Sequence, residues 1–339
     1  MRNHTWAIIS TIVLAAFTAY ISLDTFVISR SYDNTATRSN TSMFTDITSG
    51  TIEIETTYLS ETDPDETGGS SESSESAGSS ESYESSGPSE SSSEAAVEIN
   101  AELSDDSDED YKITLKEYDQ YNTKIYVADI ALTSAQYLKT AFANGTYGRN
   151  VTDTTSSIAE DNNAVLAING DYYGARQSGY VIRNGIVYRD KANGSDVLCI
   201  FANGTMEIVN DRDYSADEPV SMGVWQAFTF GPALIENGTI AVDVNTEVGQ
   251  AMSSNPRTAV GIIDTNHFVF VVSDGRTSES AGLSLYELAS FMQSLGVKTA
   301  YNLDGGGSST MYYNGEVVNN PTSNGRIKER AVSDIVYIG

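Results

Sequence analysis

The sequence predicts an α+β fold: a strand-rich domain with a mixed sheet, several hairpins and few flanking helices, preceded by one transmembrane helix and a disordered linker. Three observations predict it. An apolar run lies near the N-terminus, a Ser- and Glu-rich tract follows, and short apolar stretches separated by Asn-Gly pairs fill the rest of the chain. The boundaries that we expect are 1–30 for the cytoplasmic N-terminus and signal anchor, 31–110 for the linker and 111–339 for the folded domain.

The apolar run extends from Trp6 to Leu23 and contains no charged side chain. Its 18 residues are just enough to cross a bilayer as a helix. Arg2 before the run predicts a cytoplasmic N-terminus, with the rest of the chain outside the cell. A cleaved signal peptide is the alternative, but we find no clear small-x-small cleavage site after the run. We therefore predict an uncleaved anchor in the cell membrane that carries an extracellular domain.

The tract from 31 to 110 is dominated by Ser, Glu, Thr, Asp and Gly. Residues 33–110 hold 21 acidic residues and one arginine, so most of the net charge of −28 lies there. Few apolar groups and like charges leave nothing to form a core, which predicts a disordered spacer. The acidity also argues against nucleic acid as a partner, because the phosphate backbone requires clustered Lys and Arg.

Apolar stretches in the remaining chain predict strands. A strand is expected at Lys124–Leu132, and buried strands are expected at Ala164–Ile168 and Phe268–Ser273. Four Asn-Gly pairs stand between other apolar stretches, at 184–185, 203–204, 237–238 and 314–315. Asn-Gly accepts the two positive φ angles of a type I′ turn, so each pair predicts a hairpin.

Two helices are predicted from capping signals. Thr133 can cap a short helix that ends near Ala143. Ser284 and Glu287 form a capping box for a second helix that runs to about Leu295. The apolar residues of the second helix fall on one face.

A glycine-rich turn is the most informative stretch of the chain: Asn302-Leu303-Asp304-Gly305-Gly306-Gly307-Ser308-Ser309-Thr310. Consecutive glycines allow positive φ angles and let backbone amides converge on an anion. Together with the carboxylate and the hydroxyl groups, they indicate chemistry on a polar, phosphorylated substrate. A purely structural turn is the alternative, because the stretch is neither a G-x-G-x-x-G nor a Walker motif.

Other polar clusters are also placed near strands or tight turns, where sites are commonly built. They are Asn169-Gly170-Asp171, Asn255-Pro256-Arg257-Thr258, Asp274-Gly275-Arg276 and Glu329-Arg330. Arginine forks can bind phosphate oxygens, and the aspartates can supply an acid, a base or a nucleophile. These residues also have structural alternatives, because Asp before Gly is a common turn residue, Arg276 can pair with Asp274, and Arg330 can pair with Glu329 or Asp334.

The sequence lacks the residues for several common kinds of catalytic or metal site. The chain has two histidines, and His267 is expected to be exposed in a hairpin turn, so neither a Ser-His-Asp triad nor a His/Cys zinc site is supported. The single cysteine, Cys199, lies in an apolar run and predicts a buried side chain without a disulfide. We predict no cofactor, while a carboxylate-bound Ca²⁺ or Mg²⁺ ion stays open.

Six motifs occur in the order seen in phosphodiester glycosidases, and the chain resembles that family from about Lys124 to Gly339. The motifs are 167–173, 231–234, 255–261, 274–276, 302–311 and 330–335. The resemblance implies cleavage of a sugar-1-phosphodiester, of the N-acetylglucosamine-1-phosphate kind, into a free sugar and a phosphomonoester. Bacterial members are often described as exopolysaccharide-biosynthesis proteins, so the implied substrate is a sugar-phosphate glycan of the cell surface or wall, or a small sugar-1-phosphodiester.

For that reaction we expect Asp304 to act at the anomeric carbon, as nucleophile or as base for water, with Asp171 and then Asp274 as further candidates. Charge on the phosphate would be stabilised by Arg257, Arg276 and the backbone amides of the three glycines Gly305, Gly306 and Gly307. The other residues predicted to bind substrate are Asn169, Asn302, Ser308, Ser309 and Arg330.

Alternatives stay open at this point. Tyr172, Tyr173 and Tyr180 can stack on a sugar ring or belong to the core or its rim. The protein can also be a non-catalytic, tethered glycan- or phosphate-binding module in exopolysaccharide assembly. A phosphodiesterase that cuts the P–O bond is disfavoured by the scarcity of histidine and of clustered metal ligands.

Overall fold

The computed structural model describes residues 11–21, 23, 29–32, 99–101, 110–214, 218–247 and 254–339. Most of the predicted linker lies outside these residues, as do residues 6–10 and Ser22 of the N-terminal apolar run. Residues 11–21 are helical. Within the described ranges we find no helix that is long and apolar enough to cross a membrane, so the predicted transmembrane helix is not supported.

Strands make up most of the described domain, as predicted. In chain order they are β1 (Arg30–Ser31), β2 (Ile99–Ala101), β3 (Tyr111–Gln120), β4 (Thr123–Leu132), β5 (Lys139–Phe142), β6 (Gly148–Arg149), β7 (Leu166–Asn169), β8 (Gly179–Arg183), β9 (Ile186–Lys191), β10 (Asp196–Phe201), β11 (Met206–Asn210), β12 (Val224–Phe228), β13 (Ala233–Glu236), β14 (Thr239–Ile240), β15 (Thr258–Asp264), β16 (His267–Ser273), β17 (Thr299–Asn302), β18 (Met311–Tyr313), β19 (Glu316–Val317), β20 (Thr322–Ser323), β21 (Arg326–Ile327) and β22 (Asp334–Ile338). The α-helices whose bounds are described are Thr155–Asp161, Glu218–Ser221 and Leu285–Ser294, and the 3-10 helices are Ala135–Tyr137, Ala143–Gly145, Tyr173–Ala175 and Gly306–Ser308.

These strands form three larger sheets and two short ribbons. The eight-stranded sheet has the order β14-β13-β17-β15-β16-β4-β3-β2, and the five-stranded sheets have the orders β11-β10-β12-β8-β9 and β19-β18-β7-β22-β5. Every strand pair that the structure describes is antiparallel, so the prediction of a mixed sheet is wrong. Strands that follow each other in sequence form hairpins, such as β3 with β4 and β15 with β16, and strands that are distant in sequence, such as β4 and β16, also pair antiparallel.

Two short strands join these sheets from outside the predicted domain boundary at residue 111. Strand β1 pairs with β6, and strand β2 pairs with β3 at the edge of the eight-stranded sheet. Small parts of the predicted anchor and linker segments therefore add hydrogen bonds to the folded domain.

The four Asn-Gly pairs all lie in hairpins, between β8 and β9, β10 and β11, β13 and β14, and β18 and β19. At three of the pairs both residues have positive φ, as a type I′ turn requires. At Asn203-Gly204 only the glycine has positive φ, so that turn is of another type.

The helix predicted from Thr133 to Ala143 is wrong. The chain forms one 3-10 turn at Ala135–Tyr137 and then β5, which pairs with β22. A helix of about ten residues is marginal by itself, so hydrogen bonds to the last strand outweigh the local capping signal.

The helix predicted from the capping box is confirmed as Leu285–Ser294. The Ser284 side chain accepts a hydrogen bond from the Glu287 backbone N–H, and the Glu287 carboxylate accepts one from the Ser284 backbone N–H. These bonds satisfy amide groups that the first turn of a helix leaves unpaired.

The eight-stranded sheet is buried on both faces, which explains its long apolar strands. Successive side chains of a strand point to opposite faces. On β4, Tyr126 and Ile130 join the large core, which also contains side chains of both five-stranded sheets. Ile125 and Val127 lie on the other face, in the cluster that contains the apolar side of the helix Leu285–Ser294.

Two sheets converge where β7 and β17 end. Asn169 is the last residue of β7, and its buried side chain connects the surrounding loops. Its Nδ2 donates to the backbone oxygen of Asp304 at 2.7 Å, and its Oδ1 accepts from Thr258 Oγ1 at 2.8 Å. Polar loops that are far apart in sequence are therefore held together at one end of the core.

Candidate active site

A cleft with a volume of about 180 Å³ opens where these loops meet. Its lining residues are Phe230, Asn255, Arg257, Arg276, Asn302, Asp304, Gly305, Gly306 and Arg330. All except Phe230 and Asn255 are among the site residues predicted from sequence. The cleft is smaller than the roughly 300–1,000 Å³ of pockets that bury drug-sized ligands, so it suits one small polar group.

Asp304 is the carboxylate of the cleft lining, and Arg330 holds it in place. Asp304 Oδ2 lies 2.5 Å from Nη2 of Arg330, while Arg330 Nε donates to Ser308 Oγ at 2.8 Å. The Asp304 side chain is 12% exposed and that of Arg330 is 42% exposed. The carboxylate is therefore fixed in orientation and still reachable from solvent.

Arg257 supplies a buried positive charge to the same cleft. Its side chain is 3% exposed, its Nε donates to the backbone oxygen of Leu283 at 2.8 Å, and its Nη2 lies 3.5 Å from Glu247 Oε2. Burial lowers the pKa of Arg257, and the nearby Glu247 carboxylate opposes that shift. Arginine stays protonated in proteins, so Arg257 carries a positive charge in the lining of the cleft.

Arg276 is exposed, and its backbone has the unusual φ of 63°. A non-glycine residue in this left-handed region is a sign of a constraint that is often functional. Its Nε and Nη2 both donate to Asn255 Oδ1, at 3.1 and 2.8 Å. A Cβ on Gly306 would lie only 2.7 Å from Arg276 Nη2, so a bare glycine makes room for this guanidinium group.

The lining therefore has three guanidinium groups and one carboxylate. The whole chain, by contrast, has a net charge of −28. A local excess of positive charge in a concave site attracts anions. The class of site that this geometry defines is one for a small anionic substrate with a carboxylate beside it.

The glycine amides do not form the continuous anion-binding row that we expected. The N–H of Gly306 donates to the Pro256 carbonyl at 2.8 Å, so it holds two loops together instead of facing the cleft. The carbonyl of Gly305 accepts from Arg330 Nη2 at 3.3 Å. Sequence showed that the turn could bend sharply but not which way its amides would point.

Four of the predicted binding residues lie outside the cleft lining and pack around it. Asn169 ties the loops together, and Ser308 accepts the hydrogen bond that orients Arg330. Gly307 packs against Ser323, because a Cβ there would lie 3.1 Å from its Oγ. Ser309 is buried, and its Oγ has no hydrogen-bond partner in the part of the chain described. These four residues therefore hold the loops and side chains of the cleft in place and are not part of its lining.

Asp171 and Asp274 do not line the cleft, so the structure does not support them as catalytic groups. Asp171 Oδ1 lies 2.9 Å from Nη2 of Arg183, and its Oδ2 accepts from the Thr229 N–H at 2.9 Å. Asp274 Oδ1 accepts from Asn319 Nδ2 at 3.1 Å and from the Asn320 N–H at 2.8 Å. Both carboxylates are buried and saturated with partners, which local sequence could not indicate.

The partner of Asp171 belongs to a buried group that sequence reasoning missed. Arg183 Nη2 is also 2.8 Å from Asp334 Oδ2, and these side chains are 1% exposed. Burial raises the pKa of Asp334 to about 7, although Arg183 acts in the opposite direction. The sequence did contain one sign of this buried group, because Arg183 ends the apolar segment 179–183 and a buried arginine requires buried acidic partners.

The tyrosines divide between core and surface. Tyr173 and Tyr180 are buried, and the Tyr180 hydroxyl donates to the backbone oxygen of Asp211 at 3.0 Å. Tyr172 is 46% exposed, and the Arg330 guanidinium lies 5.9 Å from its ring centre. Of the three, Tyr172 alone is placed to meet a ligand entering the cleft.

His267, the histidine within the described residues, is not part of this site. His267 begins β16 instead of lying in the turn, and its Nε2 is 2.7 Å from Asp129 Oδ1. In the ranges that the structure describes, no group of three or more His, Cys, Asp or Glu side chains is arranged to hold a metal ion.

Comparison with known proteins identifies the family. The model of the phosphodiester glycosidase family matches residues 162–339, slightly more than half of the chain. This protein therefore belongs to the phosphodiester glycosidase family, as its motifs predicted.

Among curated proteins, the chain is similar to the SPbeta prophage-derived uncharacterized protein YomE of Bacillus subtilis. The two are 32% identical over 200 residues, which cover 57% of this chain and 30% of YomE. The chain is also 35% identical over 128 residues to mouse N-acetylglucosamine-1-phosphodiester alpha-N-acetylglucosaminidase, covering 38% of this chain and 20% of the mouse protein. It thus spans less than a third of the length of these relatives.

Two solved structures share the fold. The zebrafish N-acetylglucosamine-1-phosphodiester alpha-N-acetylglucosaminidase catalytic domain, auto-inhibited by its pro-peptide, aligns with a TM-score of 0.54 at 19% identity, over 72% of this chain and 87% of that one. A hypothetical protein from Synechocystis aligns with a TM-score of 0.52 at 14% identity, over 68% of this chain and 62% of that one.

Proposed function

We propose that this protein hydrolyses the glycosidic bond of a sugar-1-phosphodiester and releases a free sugar and a phosphomonoester. The observation that carries the proposal is the placement of Asp304 in one cleft with Arg257, Arg276 and Arg330. Membership of the phosphodiester glycosidase family supports it, and the name of the mouse relative gives N-acetylglucosamine-1-phosphodiester as the substrate class of that enzyme.

The arginines account for the phosphate half of the substrate. Arg276 is an exposed arginine of the cleft lining, and Arg257 is a buried one. Charge–charge hydrogen bonds from such groups are shorter and stronger than neutral ones. We infer that they bind the bridging phosphate and stabilise the charge that it gains as the bond breaks.

Asp304 accounts for the chemistry at the sugar. The bond between the anomeric carbon and the phosphate oxygen breaks, and its electron pair stays on that oxygen. A phosphate monoester is a weakly basic leaving group, with a second pKa near 6, so it needs little help from a general acid. The Asp304 carboxylate acts on the anomeric carbon, directly as nucleophile or by taking a proton from the attacking water.

Phe230 and Asn302 are suited to the sugar half. Phe230 is an aromatic surface of the lining, and sugar rings commonly stack on such surfaces. Asn302 Nδ2 donates to the backbone oxygen of Gly231 at 2.8 Å, while its Oδ1 is buried and accepts no hydrogen bond in the described part of the chain. Because Oδ1 is enclosed, a hydroxyl or amide donor of the sugar would reach it only after a movement of the Asn302 side chain. That hydrogen bond would remove an unpaired buried acceptor, which costs roughly 1–3 kcal/mol.

The proposal also includes the cellular location of the protein and its substrate. The uncharged run from Trp6 to Leu23 and the acidic tract after it favour a signal anchor that displays the domain outside the cell, as a single-pass membrane protein. A sugar-phosphate glycan of the cell surface or wall is then the substrate within reach.

Isotope labelling tests which bond breaks. The full-length protein is incubated with a GlcNAc-1-phosphodiester in ¹⁸O-water, and the products are analysed by mass spectrometry. We expect free GlcNAc that carries ¹⁸O and an unlabelled phosphomonoester. Label in the phosphate would instead identify a phosphodiesterase. A folded protein that binds several sugar-1-phosphodiesters and cleaves none would identify a binding module.

The Asp304→Asn variant tests the assigned carboxylate. We expect turnover to fall at least about a thousandfold, as for loss of a nucleophile or base, with little change in the free energy of unfolding. Asp264→Asn is the matched control, because that carboxylate is 74% exposed at the end of β15. Near-normal turnover in Asp304→Asn would remove Asp304 from the reaction.

A further inference from the structure

Asn255 lines the cleft but was assigned no individual role from the sequence, and its side chain holds Arg276, an exposed arginine of the cleft. Its side chain is buried, and Oδ1 accepts two hydrogen bonds from Arg276, from Nε at 3.1 Å and from Nη2 at 2.8 Å. An exposed arginine otherwise has many rotamers, so a fixed acceptor under its fork pre-organises the guanidinium group.

The position of Asn255 is itself fixed by the backbone. Asn255 and Leu283 exchange two backbone hydrogen bonds, at 3.2 and 2.9 Å. A Cβ on Gly282 would lie 2.5–2.7 Å from backbone atoms of Asn255, so this glycine permits the two loops to touch. The Arg276 backbone is likewise held, because its N–H donates to the Ala281 carbonyl at 3.3 Å.

The acceptor, Asn255 Oδ1, belongs to a neutral amide and therefore does not cancel the positive charge of Arg276. An aspartate in the same place could accept both hydrogen bonds from Arg276, but it would also form an ion pair with the guanidinium group. Asn255 fixes the guanidinium group while leaving its charge to attract an anion. Arg330 is arranged differently, since its Nη2 lies 2.5 Å from the Asp304 carboxylate.

We propose that Asn255 is a positioning residue that orients Arg276 for the substrate phosphate without neutralising it. The inference rests on the proposed function, in which Arg276 binds that phosphate. Asn255 acts through Arg276 and touches neither the anomeric carbon nor the attacking water.

Two substitutions separate this role from a merely structural one. Asn255→Asp keeps the size of the side chain and its hydrogen-bond acceptor but adds a negative charge. Asn255→Ala removes the acceptor and adds no charge. A structural role would make Asn255→Ala the more damaging change. The proposed role makes Asn255→Asp the more damaging change for anion binding, although it is the better tolerated one for stability.

The test measures the dissociation constant of inorganic phosphate by calorimetry on the full-length protein, with stability followed by denaturant unfolding. We expect Asn255→Asp to weaken phosphate binding about tenfold with unchanged stability, and Asn255→Ala to weaken it less. In turnover assays, the KM of Asn255→Asp rises more than its kcat falls. Asn237→Asp adds the same charge at an exposed turn and is expected to bind phosphate normally.

Normal phosphate binding by Asn255→Asp, or a larger loss in Asn255→Ala, would overturn the proposal. So would failure of the unaltered protein to bind phosphate. Because the readout is binding, it is independent of turnover. If phosphate binding follows the expected order but no sugar-1-phosphodiester is cleaved, the role of Asn255 stands and the proposed hydrolysis fails.

Discussion

Two groups of aspartate and arginine lie in this domain, one in the cleft and one in the core. In the cleft, Asp304 pairs with Arg330, whose side chain is 42% exposed. In the core, Asp171 and Asp334 share Arg183, and these side chains are 1% exposed. The residue types are the same, but water and small ligands reach the first group alone. The surroundings of a carboxylate, more than its motif, decide whether it can do chemistry.

The largest effect that would test this contrast is expected from Arg183→Met. It leaves two buried carboxylates without their cation, and breaking a buried ion pair in this way typically costs about 3–5 kcal/mol. We expect the free energy of unfolding, measured by chemical denaturation, to fall by that amount or the domain to fail to fold.

Arg330→Met is the matched control in the cleft. Because its side chain is largely solvated, we expect stability to change by no more than about 1 kcal/mol while turnover collapses. Equal losses of stability in the two variants would show that the cleft pair is as structural as the core group.

The core group also predicts how stability depends on pH. Burial raises the pKa of Asp334 to about 7, whereas the unfolded carboxyl titrates near 4. The folded state therefore holds this proton more tightly, so its stabilising contribution is complete below about pH 4 and is lost as the pH rises through 7. The slope is at most about 1.4 kcal/mol per pH unit.

Asp334→Asn checks that assignment. Denaturant unfolding at several values between pH 4 and 8 is expected to give a flatter profile for Asp334→Asn than for the unaltered protein. Asp264→Asn, at an exposed position, should retain the original profile. Parallel profiles for Asp334→Asn and the unaltered protein would contradict the role given to burial.

A smaller effect on stability than that of Arg183→Met is expected in the cleft, from Gly306→Ala. The φ of Gly306 is 61°, and its new Cβ would meet Arg276 Nη2 at 2.7 Å. We expect a loss of about 1–2 kcal/mol in stability from the left-handed backbone of the new alanine, together with weaker phosphate binding because the guanidinium group must move.

Gly315→Ala is the control for the effect on phosphate binding, because it introduces the backbone strain without a contact to Arg276. Gly315 also has positive φ, at 92°, but a Cβ there meets no atom within 4 Å. It should cost similar stability and leave phosphate binding unchanged. If both variants bind phosphate equally well, the close packing of Gly306 against Arg276 has no part in anion binding.

Part of the candidate site was predictable because it lies in short motifs. Asp304, Arg257 and Arg276 were selected as polar residues beside strands, and all three line the cleft. Phe230 and Asn255 were not assigned a role, although both lie within or next to recognised motifs. Their contribution depends on contacts across the fold, and the spacing of residues in a sequence does not show such contacts.

For the fold as well, the sequence predicted local features and missed those that depend on contacts between distant residues. The Ser284–Glu287 capping box and the Asn-Gly hairpins were predicted because their hydrogen bonds or φ angles involve residues within a few positions of each other. The helix expected after Thr133 was wrong because β5 gains its hydrogen bonds from β22, almost two hundred residues later.

By itself, the sequence determined the strand-rich class of the domain, its hairpins, its family and the set of polar motifs. Those features depend on local backbone preference and apolar periodicity, which act over a few residues. The tertiary structure decided the antiparallel order of the sheets and the division of the aspartates between core and cleft. Burial and ion pairing depend on which distant segments meet, and only the packed chain establishes those contacts.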